Sequence, residues 1–479
     1  MLTAVVLTPL IGGAIVALLG RSSARAARTL AGVASFVSLA VTVAAVASIP
    51  AGGEPLVEGL GNGARQWWLL QIDGLAAPLL LLAAFLGLIA VLAVRREDSS
   101  PAAFYGLLLA EQAAVSGVFL AGNLVLFYAF WEAVLIPMYF IIGIWGGERR
   151  RHAATKFFIY TFAGSALMLV GLIIAITQGG VFTMQEVAAA PVASGLQTTV
   201  FWLLAIGFLM KIPVVGLHTW QPDAYTQAPT SGSILLSGVL AKMGTYALLR
   251  VAMPIAPDAY RAAQPLLVAL GIAGIIYGAL VAYAQSDLKR LVAYSSIAHM
   301  GFVVLAIGIG TPFALGGAML GMISHGLVAG MLFLLVGQLH HRTGTYEMSR
   351  FGGFGRVLPG WATAFTFVAL ASLGLPGLSG FPGELTTVIE AWNAVGWWAA
   401  AAALGVVFAA LYSLTAVRRV NHGPVAEEFS GSADLAPGEW FVVAPLALAI
   451  VLIGVWPQLV TGLAEPALRA LAVVTGGAL

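Results

Sequence analysis

Apolar stretches of about 20 residues recur along the whole chain and are separated by short polar segments. A helix of about this length crosses the hydrocarbon core of a membrane. The pattern therefore predicts an all-α polytopic membrane protein. It predicts 14 membrane-spanning helices, at residues 1–20, 28–48, 73–94, 102–121, 124–145, 155–177, 199–221, 230–252, 264–285, 290–309, 314–338, 360–392, 395–417 and 440–460. The first of these lacks a basic leader and a clear cleavage site, and we interpret it as a retained span.

Basic residues alternate between the two sides of this predicted bundle. The loops after helices 1, 3, 5, 9, 11 and 13 hold 16 of the 22 cations: Arg21, Arg25, Arg28, Arg95, Arg96, Arg149, Arg150, Arg151, Lys156, Lys289, Arg290, Arg342, Arg350, Arg356, Arg418 and Arg419. The other loops and the tail hold Arg65, Arg250, Arg261 and Arg469. Cytoplasmic loops carry the excess of lysine and arginine, so the first set is predicted to face the cytoplasm and both termini the outside.

Composition narrows the chemistry. The chain is 60% hydrophobic and 9% charged, with a net charge of +2 and no cysteine. The absence of cysteine excludes disulfides, thiol chemistry and iron–sulfur ligation by this chain. No phosphate-binding loop motif is present, so ATP is not predicted as the energy source. The loops leave no room for a separate soluble domain, and the charge is too small to indicate nucleic acid.

Two lysines lie where a membrane span should be apolar. The chain has four lysines against 18 arginines, and Lys211 and Lys242 fall within predicted helices 7 and 8. Arginine stays protonated, whereas a buried lysine can lose its proton. We therefore interpret both as groups that change protonation state, rather than as side chains that reach the membrane surface.

Three acids accompany these lysines inside predicted spans. Glu132 lies in an otherwise apolar helix 5, where it needs a cation, and Lys211 is the best candidate. Glu384 follows a cluster of proline and glycine in helix 12. Glu111, in helix 4, is either a second acid or a hydrogen-bonded interhelical residue.

Three histidines, His218, His299 and His325, are also predicted within the membrane. Histidine exchanges protons near neutral pH, so a row of histidines between the lysines and Glu384 suits a proton relay. A metal site is not predicted, because no HxxxH spacing or cysteine supports one. Asp223 lies in the polar link after His218, and we group it with Glu111 and His218 as accessory residues.

Helices 7 and 12 both contain helix-breaking residues, and they are five helices apart. An odd offset reverses orientation, so helices 4–8 and 9–13 could be inverted repeats. The predicted organisation is residues 1–100 for helices 1–3, 101–253 and 254–420 for the two repeats, and 421–479 for helix 14 and the tail. Irregular backbone in a membrane is tolerated where it faces protein or water. Residues and spacing thus predict a proton or cation translocator.

At these residues the sequence resembles the antiporter-like subunits of respiratory complex I, the proton-pumping NADH:quinone oxidoreductase, and most of all the M (chain 4) type. The motifs are "FWEAVLIPMYFIIGIWG", "ATKFFIYT", "MKIPVVGLHTWQPDAYTQAPTSGSILLSGVLAKMGTYALLR", "DLKRLVAYSSIAHMGFV" and "ISHGLVAGMLFLLVGQL". The similarity covers about residues 100 to 395, and the remainder agrees in span layout.

The resemblance implies 14 helices, two inverted five-helix repeats and a proton path. It implies translocation roles for Glu132, Lys211, Lys242, His299, His325 and Glu384. Glutamate in "FPGEL" favours the M type, because related subunits usually have lysine there. Tyr225 stands where relatives often have histidine, which removes a relay group from that loop.

The resemblance also implies an assembly. L-type and N-type antiporter-like subunits would be neighbours in a bacterial-type inner membrane, and NADH, FMN, iron–sulfur clusters and quinone would belong to other subunits, with no cofactor in this chain. The predicted path enters near helices 7 and 8, passes Lys211, Lys242 and His299, with His325 beside it, and leaves through Glu384. Two alternatives stay open: a subunit of a multisubunit cation/proton antiporter or of a membrane-bound hydrogenase-type complex, and a structural spacer that transmits strain between pumps.

Overall fold

In the computed structural model, the described residues are 1–50, 53–60, 66–94, 100–425 and 427–476. Three of the cations assigned above, Arg65, Arg95 and Arg96, lie outside these ranges. Long apolar helices make up most of the chain, as the sequence pattern predicts. Apolar backbone in a membrane must satisfy its own hydrogen bonds, and helices do so within one segment.

The helices of the first half are α1 (Leu2–Leu19), α2 (Ala24–Ala47), α3 (Ala77–Ala93), α4 (Pro101–Leu120), α5 (Leu124–Ala133), α6 (Leu135–Trp145), α7 (Arg150–Thr177), α8 (Met184–Ala189), α9 (Ser194–Lys211), α10 (Gln221–Gln227), α11 (Thr230–Leu235), α12 (Ala241–Ala247) and α13 (Met253–Ile255). Two π-helical segments, Leu236–Leu240 and Leu248–Ala252, join α11, α12 and α13 into one rod. This rod is the predicted helix 8.

The helices of the second half are α14 (Pro257–Tyr283), α15 (Leu288–Ile309), α16 (Pro312–Thr343), α17 (Phe354–Val357), α18 (Pro359–Ser372), α19 (Gly380–Val395), α20 (Ala399–Asn421), α21 (Pro437–Val455) and α22 (Gln458–Thr475). Within the described ranges, twelve helices are long and apolar enough to span a membrane, and α3 is a shorter apolar helix. That count takes α19 and α20 together as one 42-residue stretch. The number 14 and the inverted repeats therefore stay predictions.

One element of the fold was not predicted. Strand β1 (Leu56–Leu60) pairs antiparallel with β2 (Trp68–Ile72) in the connection between α2 and α3, with Leu56 opposite Ile72. From Leu56 to Gly59 the residues alternate between partly buried and exposed, as in a half-buried strand. The protein is thus helical in its membrane part, with a small sheet outside it.

Both predicted helix interruptions are present. The backbone leaves the helix between Lys211 at the end of α9 and Gln221 at the start of α10. It leaves it again between Ser372 at the end of α18 and Gly380 at the start of α19. Gly374 adopts a φ of +77° in the second interruption, a conformation that glycine adopts without steric cost.

Three rods form the centre of the molecule. In Thr230–Ile255, α15 and α16, between 89% and 94% of the most apolar 18 residues are buried. The corresponding share is 28% in α2 and in α21. Helix α14 packs closely on α15 through small residues, so that a Cβ added at Gly274 would lie 3.3 Å from the Cα of Gly301. Small residues allow such close approach between helices in membranes. The central rods carry Lys242, His299 and His325.

Candidate functional site: a buried row of lysine, histidine and glutamate

Lys242 and His325 contact each other in the centre of the molecule. The Lys242 Nζ lies 2.5 Å from the His325 Nδ1 and donates to the Ser237 carbonyl oxygen at 2.6 Å. Lys242 is fully buried, and His325 is 5% exposed. The two groups share a short hydrogen bond in which either can hold the proton. His325, expected beside the path, is therefore the direct partner of Lys242.

His299 continues this row toward Glu384. Its ring centroid lies 5.8 Å from that of His325, and its Nδ1 lies 3.0 Å from the Glu384 Oε1. The other ring nitrogen, Nε2, lies 3.1 Å from both the Ser372 Oγ and the Tyr412 hydroxyl. Ser372 and Tyr412 orient the imidazole, and neither residue was predicted from the sequence. Ser372 could have been identified as a candidate from its position just before the helix interruption.

A small cavity of about 20 Å³ separates His325 from Glu384. The His325 Nε2 and the Glu384 Oε2 are buried without a hydrogen-bond partner among the described residues, and both residues line this cavity. A cavity of this size holds about one water molecule. One water could bridge the two groups and complete a second connection beside the one through His299.

The backbone around Lys242 is irregular on both sides. The π-helical segments Leu236–Leu240 and Leu248–Ala252 flank the single α-helical stretch that carries the lysine. Each π turn shifts the helix register, and such bulges are frequent at functional sites. Within the first π-helical segment, the Ser237 carbonyl accepts from the Lys242 Nζ. No single residue in "SGVLAKMGTYALLR" signals it.

Lys211 lies in a separate, aromatic environment. It is the last residue of α9, 1% exposed, and its Nζ has no hydrogen-bond partner among the described residues. The Nζ lies 5.2 Å from the centroid of the Trp131 ring and 6.0 Å from that of Phe157. Aromatic faces attract a cation, so these rings stabilise the ammonium in place of a contacting carboxylate.

The expected ion pair between Lys211 and Glu132 does not form in this structure. Glu132 is half-buried on α5, and its Oε1 has no partner among the described residues. Both Glu111 and Glu132 act electrostatically on Lys211, and the effect of Glu111 is the larger of the two. Glu111 is fully buried, and both its oxygens also lack a partner within the described ranges. Of the two interpretations offered for Glu111, the geometry favours the second acid over the hydrogen-bonded residue.

The accessory residues lie at the first helix interruption. The His218 Nε2 lies 3.2 Å from the Tyr277 hydroxyl on α14. Asp223 forms an ion pair of 2.7 Å with Lys156 on α7, which fixes α10 against that helix. Tyr225 is buried and its hydroxyl donates to the Leu236 carbonyl at 2.9 Å, a structural bond to the first π-helical segment.

Most of the loop-assigned cations that the structure describes lie in or next to helices, and two of them make buried contacts between helices. Lys289 belongs to the first turn of α15 and is 3% exposed, because its aliphatic chain packs inside while its Nζ bonds to the Ala228 carbonyl at 2.6 Å. Arg250 lies in the second π-helical segment and pairs with Asp73. Burial alone would raise the pKa of Asp73, but the Arg250 guanidinium holds it below its usual range.

Metal binding finds no support in these side chains. Across the described ranges, no group of three histidine or acidic side chains gathers as a ligand set. The translocation residues predicted from the sequence lie in two clusters, one around Lys211 and one running from Lys242 to Glu384. Their chemistry is that of proton acceptors and donors.

The comparisons with known proteins agree with this geometry. Residues 121–411 match the family model described as NADH:quinone oxidoreductase/Mrp antiporter, transmembrane. The chain is 42% identical to NAD(P)H-quinone oxidoreductase chain 4 3 of Trichormus variabilis over 408 residues, covering 82% of this chain and 76% of the relative. It is 37% identical to NADH-quinone oxidoreductase subunit M of Rhodobacter capsulatus over 486 residues, covering 97% and 95%.

A solved structure, respiratory complex I from Thermus thermophilus with bound NADH, contains a chain that superposes with a TM-score of 0.91 at 34% identity. The match covers 100% of both chains. Similarity of this extent, in sequence and in structure, goes beyond a shared helical architecture. The chain belongs to the NADH:quinone oxidoreductase/Mrp antiporter family of membrane proteins, and its relatives are the subunit M (chain 4) members.

Proposed function

We propose that this protein is the M-type, proton-translocating subunit in the membrane arm of a NADH:quinone oxidoreductase. The observation that carries the proposal is the continuous row from Lys242 through His325 and His299 to Glu384, buried within the central rods. Each member can gain or lose a proton. Ionisable groups inside a membrane are energetically costly, so their presence indicates a function. No part of the row resembles a redox centre, so the energy for pumping comes from electron transfer in other subunits.

The row supports a stepwise transfer. A proton on Lys242 passes along the short contact to the His325 Nδ1. From there it reaches Glu384 either through His299 or through one water in the cavity beside it. The interruption between α18 and α19 brings Glu384 to this point, and release on the outer side follows the orientation that the arginine-rich loops indicate.

The cluster around Lys211 supplies the control. Lys211 is held by aromatic rings and by the fields of Glu111 and Glu132, without a contacting partner among the described residues. A small shift of either carboxylate changes how strongly the lysine holds its proton. The order Lys211, Lys242, His325, His299, Glu384 links two interrupted helices, as expected of two inverted repeats at residues 101–253 and 254–420.

The setting follows from the same proposal. The protein lies in a bacterial-type inner membrane with both termini outside, between L-type and N-type antiporter-like neighbours. NADH, FMN, iron–sulfur clusters and quinone belong to other subunits of the complex.

The test uses the assembled complex in sealed vesicles. Lys211→Ala and Glu384→Ala should each lower the rate of proton translocation coupled to electron transfer by about tenfold or more, since a positioned proton-transfer group contributes at least 100-fold to the rate of such a step. Glu465→Ala is a control, because Glu465 is exposed and pairs with Arg469 one helical turn away. Normal proton yield in both site variants would contradict the proposal.

A second candidate is a subunit of a cation/proton antiporter that works without electron transfer. The matched family model covers Mrp antiporters as well as oxidoreductases. Purification of the intact complex decides between them. Copurified flavin and iron–sulfur subunits support the oxidoreductase, whereas sodium-dependent proton exchange by a complex that lacks them supports the antiporter.

A further inference from the structure

A crevice of about 700 Å³ opens at the face that the arginine-rich loops assign to the cytoplasm. It lies between the ends of α3, α6, α10, α15 and α16, and its charged wall includes Glu148, Arg149, Asp287, Lys289 and Arg290. A volume of this size with charged walls holds a cluster of water molecules. No step of the proposed mechanism uses it.

Lys289 is the buried titratable group of this crevice. It is 3% exposed, its Nζ donates to the Ala228 carbonyl at 2.6 Å, and it lies 5.3 Å from the centroid of the Tyr346 ring. Asp287 holds the start of α15 by accepting from the Arg290 backbone N–H at 2.7 Å. Of the 16 cations that the sequence assigns to this face, 14 are arginine, and Lys156 is the other lysine. A lysine here can release its proton, which an arginine cannot.

A second buried side chain in the crevice has a hydrogen-bond acceptor without a donor among the described residues. Gln338 on α16 lines it and is 6% exposed, and its Oε1 has no hydrogen-bond partner among the described residues. Buried acceptors are normally satisfied by protein or by water. The unpartnered Gln338 Oε1 lies in the same crevice as the Lys289 Nζ, which indicates that water is bound in this part of the crevice.

Serine side chains continue from Lys289 toward Lys242. The Ser233 Oγ donates to the Tyr225 carbonyl at 2.7 Å and lies 3.3 Å from the Ala228 carbonyl that accepts from Lys289. Ser237, one helical turn further along the same rod, has its Oγ 3.1 Å from the Ser296 Oγ, and its carbonyl accepts from Lys242 at 2.6 Å. The carbonyl oxygens in these contacts only accept and cannot pass a proton on, so a relay here needs water beside the serine hydroxyls, which both donate and accept.

We propose that Lys289 is the first proton acceptor of this protein, taking protons from water in the crevice and passing them toward Lys242 along Ser233 and Ser237. In this step the neutral amine of Lys289 binds a proton from a hydronium ion in the crevice. The resulting ammonium returns it to a water molecule at the serine hydroxyls, and the lysine is neutral again. The inference rests on the proposed function in proton translocation, and it gives Lys242 an intake that does not pass through Lys211.

Two substitutions at one position test this role in the assembled complex. Lys289→Gln keeps a hydrogen-bond donor for Ala228 but cannot titrate, and Lys289→Arg keeps the charge but cannot release its proton. Both should lower the rate of proton translocation coupled to electron transfer by about tenfold or more. Arg350→Gln serves as the control, because Arg350 is exposed and pairs with Glu428.

The outcomes separate the two proposals. Normal pumping by both Lys289 variants, with Lys211→Ala and Glu384→Ala defective, would overturn the role of Lys289 alone. Normal pumping by all four would overturn the proposed function itself. Pumping by Lys289→Arg with failure of Lys289→Gln would show a requirement for charge rather than for proton release, which also contradicts this inference.

Labelling tests the crevice in case the Lys289 variants do not assemble. The natural chain has no cysteine, so a single introduced cysteine is the only thiol on it. Thr230→Cys, in the crevice wall, should react with a charged, membrane-impermeant thiol reagent added from the cytoplasmic side. Thr245→Cys, fully buried, should not. Absence of reaction at position 230 would exclude a water-filled entrance and with it the proposed intake.

Discussion

Glu111 is the residue whose environment differs most from what its sequence neighbours indicate. It lies in an apolar helix beside Gln112, yet only Gln112 is hydrogen-bonded, to Ser35 and Ser38. Both carboxylate oxygens of Glu111 are unpartnered among the described residues, and the acid acts on Lys211 through space. A buried acid that is not satisfied by hydrogen bonds is costly to fold and therefore indicates use.

The first prediction concerns this acid. Glu111→Gln should leave the complex assembled but lower the rate of coupled proton translocation by roughly tenfold, equivalent to ~1.4 kcal/mol of activation free energy, because Lys211 loses a carboxylate that stabilises its charge. Proton uptake by sealed vesicles measures it. The effect should be at least as large as that of Glu132→Gln, and a defect in Glu132→Gln with normal pumping in Glu111→Gln would contradict this ranking.

At the scale of elements, interrupted and bulged helices position the buried groups. Glu384 reaches His299 because the chain turns between Ser372 and Gly380. Gly374 and Gly377, with φ of +77° and +89°, make that turn. A Cβ added at Gly374 would lie 2.8 Å from the Glu384 Oε2, whereas one added at Gly377 would meet nothing within 4 Å.

These two glycines give a matched pair of variants. Gly374→Ala and Gly377→Ala should each destabilise the fold by about 1–2 kcal/mol, the cost of a side chain in the left-handed region, measured by thermal unfolding of the purified complex. Gly374→Ala alone should also reduce proton translocation, because the new methyl group displaces the Glu384 carboxylate. Equal proton yields in the two variants would show that the turn, and not its contact with Glu384, is what matters.

For the whole molecule, long-range polar contacts fix helices that are distant in the sequence. The ion pair of Asp73 with Arg250 joins the segment before α3 to the end of the rod that carries Lys242. Arg250 also donates to the Tyr246 hydroxyl at 3.2 Å, which itself donates to the Phe119 carbonyl at 3.1 Å on α4. These bonds hold the second π-helical segment against two neighbouring helices.

Removing this pair should destabilise the assembled protein. Asp73→Asn should cost about 3–5 kcal/mol at neutral pH, as expected when one partner of a buried ion pair is lost. Because Arg250 holds the pKa of Asp73 below its usual range, the pair stabilises the fold above that range, and its contribution is lost as the pH falls through the folded-state pKa. The difference in unfolding temperature between the two proteins should therefore shrink with acidification.

A control for this measurement is Glu465→Gln, which removes an exposed pair within α22. Exposed pairs of this kind contribute less than about 1 kcal/mol, so its unfolding temperature should stay close to that of the natural protein. A difference between Asp73→Asn and the natural protein that grows on acidification would contradict the assignment of the shift to this ion pair.

By itself, the sequence determined the membrane class, the approximate helix positions, both helix interruptions and the ionisable residues within the spans. These follow from properties that are local in the chain: the length of apolar runs, the positions of proline and glycine, and the cost of charge in a membrane. Its motifs also indicated the family.

The tertiary structure alone decided which of these residues meet. Lys242 contacts His325, and Lys211 lies against Trp131 and not against Glu132, because packing and the two π-helical segments set the facing of side chains far apart in the sequence. The burial of Lys289 has the same cause. The sequence predicts a loop position for this lysine, and it is enclosed only when α10, α15 and the segment around Tyr346 pack together.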